Sequence, residues 1–320
     1  MYTKLSLRYL AVISISAVIF SGCGNDTENV VSDPNHEISR ASLTKKWETK
    51  AVLGIVESAV YDKNKACIYA SNVNSEASGK VWGNNNGFIS KIDTNGNILA
   101  LKWISGLKAP KGLALYKEHL YAADNHTIAD INTSNGKIVH IFEAPKGTDH
   151  LNDLAYDTAT HTIYASDEAD NQIWKISTDG KFTLFQQLDP SKNTYLNGLL
   201  VDGNQLIIQG TKGYLKSIDL ATKKTKILAN TMERVRIDGI QEYKDKGYIA
   251  SKVGEKIYFV SNRGASKAFD IKNPARVADI TYIPELDLLL APDFKHRIIA
   301  YTIEVETVNA DKNNTQVAQN

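Results

Sequence analysis

Six polar residues stand at equivalent places in six copies of one short strand opening. They are Glu57 in VESAVYD, Lys111 in PKGLALY, Asn152 in LNDLAYD, Asn197 in LNGLLVD, Asp238 in IDGIQEY and Asp279 in ADITYIP. Successive members lie 54, 41, 45, 41 and 41 residues apart. Apolar strand residues flank each one, so folding carries it toward a buried place. A buried polar group without a partner costs about 1–3 kcal/mol, so the set needs company. Carboxylates and amide oxygens meeting at one point suit a hard cation; calcium takes such oxygens at about 2.3–2.6 Å. No His or Cys belongs to the set, which argues against zinc or copper. Three carboxylates and one ammonium sum to −2, the charge a divalent cation neutralises. The other reading is an ion-pair network in which Lys111 balances the carboxylates and the asparagines tie neighbouring sheets together. Spacing alone leaves both open.

The elements that must bring these residues together are also repeated. A short strand recurs as CIYASN, LYAAD, TIYASD, LIIQG, YIASK and LLLAP, with markers Ile68, Leu120, Ile163, Leu206, Tyr248 and Leu288 spaced by 52, 43, 43, 42 and 40 residues. A second strand follows each, as in FISKID and QIWKIS, and several of these end in a turn dipeptide such as Asn95-Gly96 or Asp179-Gly180. Such dipeptides supply the positive φ of tight hairpins. With one strand before each marker and one behind each turn, every repeat of about 40 residues holds four strands. Four antiparallel strands at that period predict an all-β, six-bladed β-propeller over residues 45–305. Packing small sheets around an axis buries faces that none could bury alone. The sixth repeat lacks an outer strand, and TKKWETKAVL (44–53) stands where one is needed. The N-terminal segment is therefore expected to complete the last blade and close the ring. The long first spacing places an inserted loop at 74–87, a candidate lid carrying Trp82.

Outside the repeats the chain reads as an address. Lys4 and Arg8 precede the apolar run YLAVISISAVIF, and Phe20-Ser21-Gly22-Cys23 follows. These are the parts of a secretory signal, and the last four resemble a bacterial lipoprotein box. Residues 1–22 are expected to be a lipoprotein signal peptide, Cys23 the lipidated residue, 23–44 a flexible tether and 306–320 a disordered tail. The expected place is the bacterial cell envelope, with Cys23 as the anchor and the only membrane contact. The 320 residues carry 37 Lys+Arg against 36 Asp+Glu, a balance that argues against nucleic acid as a partner. Two cysteines exclude a disulfide scaffold. The expected partner is a small-molecule ligand in the tunnel mouth, with the protein a monomer.

Taken in order, Glu57, Asn152 from HLNDLAYD, Asn197 from YLNGLLVD and Asp238 from RIDGIQ resemble the metal set of the SMP-30/gluconolactonase/LRE-like six-bladed propellers, whose relatives include phosphotriesterases of the diisopropylfluorophosphatase type. The resemblance covers roughly residues 45–305. It implies a divalent metal, calcium first, on Glu57, Asn152, Asn197 and Asp238, and hydrolysis of a lactone or related ester. Such a metal polarises a carbonyl or phosphoryl oxygen and acidifies bound water. The resemblance also makes Asp238 a general base. His150 is a second catalytic candidate because imidazole titrates near neutrality. There are departures. Leu151, Leu196 and Ile237 stand where the family often has Pro, and His150 stands where sugar lactonases often carry a substrate-holding Arg. His150, Glu168 and Lys111 are the candidate substrate contacts. The competing reading is a surface-tethered propeller without catalysis, its metal a structural pin.

Overall fold

A computed structural model describes residues 36–73, 86–148, 150–189, 196–209, 213–230, 236–254, 256–271 and 276–309. They form six four-stranded antiparallel sheets. The inner strands are β2 (Ile55–Asp62), β6 (Pro110–Tyr116), β10 (Leu151–Asp157), β14 (Leu199–Asp202), β18 (Ile237–Tyr243) and β22 (Thr281–Ile283). Each contacts the next around the circle, and β22 meets both β18 and β2, so the ring closes as a six-bladed propeller. The second strands are β3 (Cys67–Val73), β7 (His119–Asp124), β11 (Thr162–Asp167), β15 (Gln205–Gln209), β19 (Gly247–Lys252) and β23 (Leu288–Asp293).

The core lies between blades. Cys67 and Tyr69 of blade 1 pack with Leu113, Leu120 and Ala122 of blade 2, and similar clusters fill the other seams. Burying such side chains is worth roughly 1.5–3 kcal/mol for each large aliphatic or aromatic one. This is why the second strands read as near-continuous apolar runs with both faces covered.

Closure comes from the N-terminal segment, and it starts earlier than its sequence suggests. Blade 6 has the order β1-β24-β23-β22, with β1 (His36–Glu48) pairing antiparallel with β24 (Arg297–Asn309). Residues 36–44, expected as tether, are therefore strand, and β24 runs to Asn309, into the segment expected as tail. Ile38, Ala41 and Leu43 of β1 are buried with Phe259, Phe269 and Ile303. The Lys267 ammonium donates to the carbonyls of Ile38 and Ser39, both at 2.9 Å. β1 thus holds blade 5 as well as blade 6. Cys23 and the insertion around Trp82 lie outside the described residues.

Candidate functional site at the hub

A repeated irregularity sets the site. In blades 1, 2, 3 and 5 the inner strand carries one residue more than its partner between paired positions: Val56 to Ala59, Pro110 to Leu113, Leu151 to Leu154 and Ile237 to Ile240. The extra residue is a β-bulge, which re-aims a side chain and leaves a backbone N–H outside the ladder. Glu57, Lys111, Asn152 and Asp238 all sit in these bulges. The displaced N–H groups are capped by hydroxyls from the second strand: Ser58 N–H donates to Ser71 Oγ at 3.0 Å, Asp153 to Ser166 at 2.9 Å and Gly239 to Ser251 at 2.8 Å. The serine of the recurring Ala-Ser pair in CIYASN, TIYASD and YIASK is thus the support of the bulge.

Glycine then lets the blades close at the hub. A Cβ on Gly239 would stand 2.3 Å from Asp279 Oδ1 and 2.4 Å from Ile280 N, and one on Gly198 would stand 2.6 Å from Asp238 O. Each glycine follows a ring residue, so the next blade's ring segment packs directly on it. Blade 3 has Asp153 in this place. Its carboxylate accepts from Leu199 N–H of blade 4 and from Leu154 N–H, each at 2.7 Å.

Charges from blades 1, 3, 5 and 6 act on one another at the centre. Burial pushes the Glu57 carboxyl up to about 7, against the pull of Lys111 and Arg236. Burial also raises Asp153 to about 7, although two N–H groups oppose the shift. Asp238 is held well above the usual carboxylate range, first by burial and then by repulsion from Glu57 and Asp153. Asp279 is raised in the same way, by burial and by Asp153, while a 2.6 Å hydrogen bond from Ser58 Oγ opposes the shift. Burial lowers the Lys111 ammonium, with Glu57, Asp124 and Asp167 opposing the shift.

The sequence candidates fall into two groups. Asn197 and Asp238 touch: Asn197 Nδ2 donates to Asp238 Oδ1 at 2.6 Å, and Glu57 acts on Asp238 electrostatically. Asn152 Nδ2 donates to Glu168 Oε2 at 2.8 Å, and Glu168 pairs with Arg236. Lys111 is 1% exposed, with its ammonium donating to Leu151 O at 3.3 Å and Asn125 Oδ1 at 3.4 Å. His150 is exposed; its carbonyl accepts from Glu168 N–H, and its ring acts on Asp167. Sequence reading missed Asp153, Ser58 and Arg236. For Asp153 a signal existed, since it is the one acid among the residues that follow the ring positions.

A hard cation fits these residues. Both asparagine amide nitrogens are committed to carboxylates, which fixes the flip and leaves the oxygens as donors to a metal. Asn197 Oδ1 is buried and has no hydrogen-bond partner among the described residues. Desolvated carboxylates that repel one another are the field a divalent cation relieves. Among the described residues no three His, Cys, Asp or Glu side chains gather as a metal group by themselves. A cation here therefore depends on the amide oxygens as well.

No family model and no curated protein matches the chain. Solved structures do. A streptogramin B lyase superposes with a TM-score of 0.62 at 11% identity, covering 82% of this chain and 98% of that one. Virginiamycin B lyase from Staphylococcus aureus gives 0.57 at 14%, covering 82% and 99%. A gluconolactonase from Xanthomonas campestris gives 0.62 at 13%, covering 79% and 88%. The chain shares their propeller fold. At these identities the likeness concerns the fold alone.

Proposed function

We propose that the chain is an extracytoplasmic hydrolase of a lactone or related ester. A divalent cation, calcium first, would sit at the hub on Glu57, Asn152, Asn197 and Asp238. The observation that carries this reading is Asn197 Oδ1, a buried oxygen without a partner among the described residues, beside Asp238 in a field of carboxylates from four blades. When bound, the cation supplies Lewis acidity at a carbonyl and acidifies its water. The chain supplies the rest. Asn197 fixes Asp238 by donating from Nδ2 to the Asp238 Oδ1. Burial and neighbouring charge raise the affinity of Asp238 for a proton, the direction a general base needs. Ser58 holds Asp279. The extracytoplasmic place rests on the lipoprotein-like Phe20-Ser21-Gly22-Cys23 and on Cys23 as anchor. The fold neighbours include a gluconolactonase and lyases, so this scaffold is one on which enzymes are built.

The second reading, a ligand-binding propeller with a structural cation, draws on Lys111, a buried ammonium that already offsets Glu57. A panel of lactones and phosphotriesters, with and without EDTA, on wild type and Asp238→Ala separates the two. Turnover lost on chelation and in Asp238→Ala supports the hydrolase. Bound metal without turnover on any substrate supports the binding role. Turnover that survives both treatments removes the mechanism.

A further inference from the structure

One ion pair joins blade 5 to blade 3. Arg236 leads into the inner strand of blade 5, two residues before Asp238, and its guanidinium pairs with Glu168. Glu168 follows the second strand of blade 3. Blade 4 lies between blades 3 and 5 in the ring, so the pair links two blades that are not neighbours. The other oxygen of Glu168, Oε2, accepts from Asn152 Nδ2 at 2.8 Å. A carboxylate held by a guanidinium on one side and an amide N–H on the other is a carboxylate-binding arrangement, and here the chain's own Glu168 occupies it. Arg236 also acts on Glu57 and Asp238, so the guanidinium lies within electrostatic reach of the proposed reacting centre. Its side chain is 44% exposed, whereas that of Glu168 is 16% exposed. Lys111, by contrast, is closed off at 1%. An incoming anion therefore meets Arg236 first.

We propose that Arg236 and the Asn152 amide form a subsite for an anionic group of the ligand, a carboxylate in particular, and that Glu168 is a built-in competitor which the ligand displaces. Arg236 is then the specificity-determining residue, and the preferred substrates are lactones or esters that carry a negative charge beside the scissile bond. The substrate-class part rests on the hydrolase reading; the subsite itself does not.

The sign of one mutation separates a competitor from a ligand contact. If Glu168 competes, Glu168→Gln binds a carboxylate more tightly; if Glu168 holds the ligand, the same change weakens binding. The test titrates gluconate, a hydroxycarboxylate of the kind a lactonase releases, into the full chain with calcium present, by calorimetry. Folding of every variant is checked by circular dichroism. The expected result is at least threefold tighter binding in Glu168→Gln, at least tenfold weaker binding in Arg236→Met, and partial recovery in Arg236→Lys. Weaker binding in Glu168→Gln, or unchanged binding in Arg236→Met, overturns the proposal, as does no binding to wild type and Glu168→Gln alike. Kinetics then read the substrate class. The ratio of kcat/KM for an anionic lactone to that for its neutral analogue is expected to fall at least tenfold in Arg236→Met, and an unchanged ratio overturns that part. Arg236-dependent gluconate binding without turnover on any ester leaves the subsite standing and removes only the hydrolase reading.

Discussion

The hub carboxylates make stability depend on pH in an unusual direction, and calcium should cancel that dependence. Asp153 is 5% exposed, and burial raises it from an ordinary 3.8 to about 7. The folded protein therefore holds this proton more tightly than the unfolded chain. The resulting stability is complete below the ordinary value and is lost as pH rises through about 7. Holding this proton up to about pH 7 instead of 3.8 corresponds to about 4 kcal/mol at most. Glu57, also raised to about 7, acts in the same sense. In EDTA, thermal unfolding followed by circular dichroism should show a lower Tm at pH 8 than at pH 5.5. At about 2–4 °C per kcal/mol, the drop is on the order of 10 °C. Saturating calcium at pH 8 should restore most of it; a ligand at a hundred times its Kd contributes about 2.7 kcal/mol. At pH 5.5, where the carboxyls hold protons, calcium should do much less. A Tm in EDTA that stays flat or rises from pH 5.5 to pH 8 would mean that the hub carboxyls are not desolvated acids.

Other perturbations test the scaffold. Gly239→Ala forces a Cβ to within 2.4 Å of the Ile280 backbone nitrogen, so it should cost about 1–3 kcal/mol, read as a lower urea midpoint with an unchanged slope. Ser251→Ala leaves the Gly239 N–H and the Ala278 carbonyl without their hydroxyl partner, and about 1–3 kcal/mol should be lost in the same assay. Removing residues 36–48 strips Ile38, Ala41 and Leu43 from the blade 5–blade 6 seam and opens the ring; the expected outcome is loss of a single cooperative melt. A shortened chain that melts as sharply as the intact one would show that β1 does not close the propeller.

The propeller was legible because its period is long and its strands are apolar on both faces, a pattern that survives without any alignment. The start of the closing strand was hidden for a physical reason. β1 carries bulges between Ile38 and Arg40 and between Lys45 and Trp47, so its apolar residues miss a strict two-residue alternation and HEISRASLTKKWE reads as polar tether. The ring residues were found because they repeat. What places them, the bulge and its serine cap, was present in the recurring Ala-Ser pair but has meaning only once the strands are in register. Arg236 carried no sequence signal: it does not repeat, and its partner Glu168 lies 68 positions away on a blade that is not its neighbour.

The proposed site needs oxygens from blades 1, 3, 4 and 5 to hold one divalent ion at the hub. Calcium titration by calorimetry, after chelator treatment and dialysis, reads that occupancy. Wild type should bind one calcium per chain, Asn197→Ala should bind at least tenfold more weakly, and Asp238→Ala should show no binding at this site. Equal calcium binding by wild type and Asp238→Ala, or none by any folded form of the protein, would mean that the hub holds no such ion.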